Sequence, residues 1–153
     1  MNLPPPIRVI GCGGAVGDDA LAAEVIRRLR ACLAPDPRVE LHVVAGGQDI
    51  LDLLDARGTL LLIDAVSSGA PPGTIHRLEW PDERLKTLRP GTTHDLRPAE
   101  ALRLAAALGR LPERVVIFGL EAGDLSPRNE LSEAVTTVLP ELVARIGEFI
   151  ATG

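Results

Sequence analysis

Apolar positions along this chain switch repeatedly between a period of two and a period near 3.6, the alternation expected of strands and helices in turn. The run Ile7-Arg8-Val9-Ile10 predicts a first strand over residues 7–11. Leu21, Val25, Leu29 and Leu33 recur at helical spacing, predicting a helix from near Asp18 to Leu33, stopped by Pro35 and Pro37. A second strand is expected over 39–44, a short helix over 48–56 ended by Gly58, and a third strand over 60–64. The stretch 65–73 is rich in Ser, Gly and Pro and too short for the crossover a parallel neighbour needs, so the next strand, 74–80, is expected to run antiparallel. Its polar positions His76, Arg77 and Glu79 suit a sheet edge. A helix over 98–108 with Gly109 at its end, a strand over 114–120 with the run Val-Val-Ile-Phe, and a last helix over 131–151 complete the pattern. Pro140 is expected to kink or split that helix.

These elements predict one α/β domain over residues 1–153. It is a three-layer sandwich around a five-stranded, mostly parallel sheet of order 2-1-3-5-4, with strand 4 antiparallel. Strands two and three flank strand one, which puts a topological switch point between the ends of strands one and three, where open α/β sheets bind ligands.

Three residues are predicted at that edge. Asp19 closes the loop Gly11-Cys12-Gly13-Gly14-Ala15-Val16-Gly17-Asp18-Asp19 after strand one. Asp64 ends strand three, where a carboxylate closing an apolar run must be paired, hydrogen-bonded or metal-bound to offset its desolvation. His94 lies in the loop Gly91-Thr92-Thr93-His94-Asp95. Two carboxylates and an imidazole fit a hard-to-borderline divalent metal, or else acid/base chemistry. Asp18 reads as a helix N-cap. His42 and His76 read as structural or exposed.

Composition narrows the function classes. The core is aliphatic, since 46% of residues are hydrophobic but there are only two Phe, one Trp and no Tyr. A net charge of −5 with so few aromatic rings argues against nucleic acid. Cys12 and Cys32 are the only cysteines and form no zinc pattern; Cys12 is expected to be a buried thiol rather than a nucleophile. No run approaches the ~18 apolar residues of a membrane span, and the N-terminus lacks a charged segment followed by an apolar one, so the expected location is cytoplasmic. A dinucleotide fingerprint fails at Val16, where glycine is required, and at the end of strand two, which has no acid. No Gly-x-Ser-x-Gly is present.

The whole chain resembles the [NiFe]-hydrogenase maturation endopeptidases. The resemblance is carried by Gly11-Cys12-Gly13-Gly14 through Asp18-Asp19, by Ala45-Gly46-Gly47 followed by Leu60-Leu61-Leu62-Ile63-Asp64-Ala65-Val66, and by Thr92-Thr93-His94. The stretch from Leu111 to Gly119, and Leu125-Ser126-Pro127, add to it. It implies an endopeptidase that recognises nickel already inserted in a hydrogenase large-subunit precursor and then removes that partner's C-terminal extension. It assigns nickel recognition, and with it catalysis, to Asp19, Asp64 and His94. The nickel would be carried by the substrate, with cadmium or zinc as stand-ins in vitro. The chain departs from the family pattern at Gly14, where the family has Asn; at Ala20, which stands where glycine or another small residue is usual; and after His94, where a common glycine is missing. The first loop is also one residue short. Those departures keep open a diverged nickel-protein-binding module without activity, and a small-molecule or nucleotide-binding α/β domain. The oligomeric state is left open.

Overall fold

A computed structural model describes residues 4–14, 17–82, 96–123 and 130–153. Five strands, β1 (Ile7–Cys12), β2 (Val39–Val44), β3 (Thr59–Val66), β4 (Ile75–Glu79) and β5 (Arg114–Glu121), form one sheet of order β2-β1-β3-β5-β4. Every pairing is parallel except β4 with β5. The predicted order and the antiparallel edge strand are therefore both found.

Alternation along the strands sends side chains into two apolar layers. Val9, Leu61, Ile63, Val116 and Phe118 pack against α1 (Leu21–Cys32) and α4 (Glu133–Thr152) on one face. Ile10, Cys12, Leu60, Leu62, Val66, Val115 and Ile117 pack against α2 (Gly47–Leu53) and α3 (Pro98–Ala107) on the other. Val115–Glu121 of β5 is buried throughout, as its continuous apolar run demands.

Three boundaries, and the interior of one helix, differ from expectation. The chain enters α1 through a 3-10 turn, Gly17–Ala20, so Asp18 and Asp19 lie in that turn and the residue capping α1 is Ala20. β3 continues two residues past Asp64, because parallel pairing with β5 runs on to Val66↔Glu121. α2 stops at Leu53: Leu54 is extended and Ala56 takes a left-handed φ of 68°. Finally, α4 runs unbroken through Pro140. That residue and Thr136, one turn earlier, are exposed, so water can satisfy the carbonyl that the missing N–H leaves. Among the described residues, no helix is long and apolar enough to cross a membrane.

Candidate active site at the carboxyl edge of the sheet

The site is built where β1 and β3 end. Cys12, the last residue of β1, pairs in register with Asp64, which pairs on its other side with Gly119. Asp64 shares its face with Leu62 and Val66, the α2/α3 side, and is only 5% exposed. Cys12 is 1% exposed, as expected of a buried thiol, and Cys32 is exposed with no disulfide between them.

Asp19 is brought back onto the end of β1 by the turn that precedes α1. Its Oδ2 accepts the Gly14 N–H at 2.7 Å. This close approach explains the glycines. A Cβ on Gly13 would meet the Asp19 carbonyl oxygen at 2.2 Å, and one on Gly14 would meet Asp19 Oδ2 at 2.4 Å. The loop is therefore closed around a carboxylate. Its Gly14 amide, the kind of donor a phosphate would use, is already engaged by negative charge, which disfavours the nucleotide reading.

Asp18, expected to be an N-cap, does something else. It is fully buried and accepts from Gly123 N–H at 2.7 Å, Ser132 N–H at 2.6 Å and Ser132 Oγ at 2.7 Å. Ser132 is also the cap of α4. Asp18 thus pins the 3-10 turn to the exit of β5 and the start of α4, which fixes the backbone that presents Asp19. The sequence signal for the partner was a serine just ahead of an apolar helical run.

His94 lies outside the described residues. Leu96, two positions further on, is described: its carbonyl accepts the Gly47 N–H at 3.0 Å. A Cβ at Gly47 would meet that oxygen at 2.5 Å, so Gly47 is a point of close backbone approach. Gly47 opens α2 just past the carboxyl end of β2, so this anchor lies at the same edge of the sheet as Asp19 and Asp64. Among the described residues, no group of three His, Cys, Asp or Glu side chains is arranged to hold a metal.

Two charged residues outside the predicted site are prominent. Arg8, 6% exposed inside β1, reaches Glu40 at 2.9 Å and Asp55 at 2.6 and 3.1 Å, and its pKa is raised first by the Asp55 hydrogen bond. It sits in the amino half of the strand, away from the site. Glu121 ends β5 at 2% exposure and pairs with His76 Nε2 at 2.9 Å. The rule that singled out Asp64, an acid closing an apolar strand, identifies Glu121 equally well.

The comparisons with known proteins agree with this architecture. The family model for hydrogenase maturation protease, of the HycI type, matches residues 23–148, a span that includes Asp64 and His94 and begins just after Asp19. The hydrogenase expression/formation protein HupD of Thiocapsa roseopersicina is 28% identical over 160 residues, covering 97% of this chain and 71% of that protein. The hydrogenase maturating endopeptidase HybD from E. coli has a TM-score of 0.79 at 24% identity, over 92% of this chain and 89% of that one. A hydrogenase 2 maturation peptidase from a Thaumarchaeota archaeon has a TM-score of 0.67 at 26% identity, over 95% and 97%. The chain belongs to the hydrogenase maturation protease family, and its activity is that of an endopeptidase, a peptide-bond hydrolase acting in hydrogenase maturation.

Proposed function

We propose that this endopeptidase removes the C-terminal extension of a [NiFe]-hydrogenase large-subunit precursor once nickel is in place, and that Asp19, Asp64 and His94 recognise the metal. The observation that carries the reading is the position of Asp64. A carboxylate 5% exposed, in an apolar strand at the switch point of the sheet, is costly to desolvate unless ligation or hydrogen bonding offsets the cost. Asp19 is held at the neighbouring strand end by the Gly14 amide. The Gly47–Leu96 anchor fixes the chain two residues after His94 at that edge.

Two carboxylates and one imidazole suit nickel, with cadmium or zinc as stand-ins. Three protein ligands leave positions open, so the partner's own ligands can stay on the ion. In the cleavage step a carboxylate accepts the proton of the attacking water, the scissile C–N bond breaks, and the leaving amine takes up a proton. The partner is a protein, the large-subunit precursor, rather than nucleic acid.

The test is incubation of the purified protein with nickel-loaded and metal-free precursor, read by mass spectrometry of the large subunit. The nickel-loaded precursor should be shortened and the metal-free one left intact. Asp64→Ala and His94→Ala should fold and leave both intact. Equal cleavage of the two precursors would remove the sensing role, and an unimpaired Asp64→Ala would remove the ligand assignment.

A further inference from the structure

Ser68, His76 and Glu121 form a second polar cluster on the sheet face that carries Asp64, with Glu121 two register positions nearer the carboxyl edge. Glu121 pairs with Val66 in the register that pairs Gly119 with Asp64, and Gly119 pairs with His76 across β4. The Glu121 carboxylate is fully engaged. Oε1 accepts Ser68 N–H at 2.7 Å and Gly69 N–H at 3.2 Å; Oε2 accepts the Ser68 hydroxyl at 2.8 Å and meets His76 Nε2 at 2.9 Å. The Glu121 backbone holds the far end of the same connection: its carbonyl accepts Gly73 N–H and its N–H donates to the Thr74 carbonyl, both at 2.9 Å.

One residue therefore clamps both ends of the β3–β4 connection, which begins three positions after Asp64. Between the anchors, Pro71 and Pro72 are exposed, and the Thr74 N–H and hydroxyl both reach the Pro71 carbonyl. Gly69 and Gly73 take φ of +89° and +85°, conformations that side chains with a Cβ rarely adopt. A buried carboxylate is a costly way to close a surface turn. What it provides is rigidity in an exposed segment at the mouth of the site, and a wall ordered in advance spares an arriving chain part of the ordering cost of binding.

We propose that Glu121 is a positioning residue that preorganises the connection 67–73 as the wall along which the precursor's C-terminal extension lies. This rests on the processing role proposed above. Pro71 and Pro72 offer exposed apolar surface and the exposed Ser67 offers a polar edge, while Ser68 is held by Glu121; the combination suits an extended peptide.

The test compares Glu121→Gln and Ser68→Ala with the unmutated protein on nickel-loaded precursor. Glutamine keeps the volume but replaces one acceptor oxygen by an NH2 group facing donors. Its KM should rise about tenfold with kcat changed less than about threefold, because an ordering cost falls on binding. Ser68 is exposed, so Ser68→Ala should fold; it loses one of the four side-chain bonds and should shift KM in the same direction by about threefold. Unchanged KM in both variants overturns the wall, as does loss of kcat at constant KM. If Glu121→Gln does not fold, Ser68→Ala alone decides. If the unmutated protein cleaves no cognate precursor, the processing role fails first and the wall with it.

Discussion

Asp18 and Asp19 are neighbours with opposite duties. Asp18 is sealed inside with three donors, while Asp19 stays half-buried against Gly14. The glycines between β1 and this turn are present because Asp19 needs the volume. Gly13→Ala would set a methyl against the Asp19 carbonyl, a backbone atom that cannot rotate away. The variant should fold with a stability loss of about 1–3 kcal/mol and process nickel-loaded precursor at least about tenfold more slowly, since a small misplacement of a residue in the proposed site is expensive. Processing at the unmutated rate, with the fold checked by circular dichroism, would show that Asp19 is not held by this approach. The two glycines were visible in the sequence as a tight turn, but the group they accommodate was not, because Asp19 lies six residues from Gly13 and five from Gly14 and meets them only through the turn.

At the scale of elements, β1 has two ends with separate functions. Its carboxyl end delivers Cys12 beside Asp64, and its amino half carries Arg8, whose guanidinium ties β2 through Glu40 to the segment after α2 through Asp55. Arg8→Met keeps the apolar stem and removes the charge. Glu40 and Asp55 are each 41% exposed at the side chain, so water can take over their charges, and the cost should be about 1–3 kcal/mol rather than that of a stranded buried ion. Urea denaturation should show the lower midpoint, and processing by the folded fraction should be unchanged. A midpoint equal to that of the unmutated protein would mean the ion pairs add nothing net. Strand and helix periods showed every strand and α-helix among the described residues, but not the 3-10 turn Gly17–Ala20. They carried α2 past Leu53, because its end depends on where backbone groups find partners rather than on periodicity; the single last helix they showed is found, unbroken at Pro140.

For the molecule as a whole, the charge balance sets the response to acid. Burial alone would raise the pKa of Glu121, but the Ser68 donors and His76 outweigh it and the net shift is downward from 4.5. Glu24 is lowered to about 2, chiefly by Arg27, while Asp36 and Asp55 are lowered by Arg38 and by Arg8. A carboxyl whose folded pKa lies below its unfolded value stabilises the fold above the unfolded value and loses that contribution as pH falls through the folded one. Tm should therefore hold from neutral pH to about pH 5 and fall from there toward about pH 2. The exposed pairs of Glu24 and Asp36 are screened by solvent and contribute little, so the acid response should rest on the buried Glu121 together with Asp55, the partner of the buried Arg8. Glu121→Gln should flatten the acid limb, measured by thermal melts across pH. An acid limb equally steep in that variant would place the titrating group elsewhere.

The sequence by itself determined the α/β class, the strand order, the reversed edge strand and the burial of Cys12, because each follows from local periodicity and from connections too short to permit the alternative. It also resembled its family closely enough to single out Asp19, Asp64 and His94, of which the first two fall in the described residues at one edge of the sheet. Only the tertiary structure decided that Asp18 is a buried bridge rather than a cap, that Gly14 supplies an amide to Asp19, and that Glu121 fastens both ends of the β3–β4 connection. Those contacts join residues up to 114 positions apart, through hydrogen bonds to backbone groups whose identity no side chain encodes. A sequence shows which groups will need a partner once buried; the packing of distant segments chooses the partner.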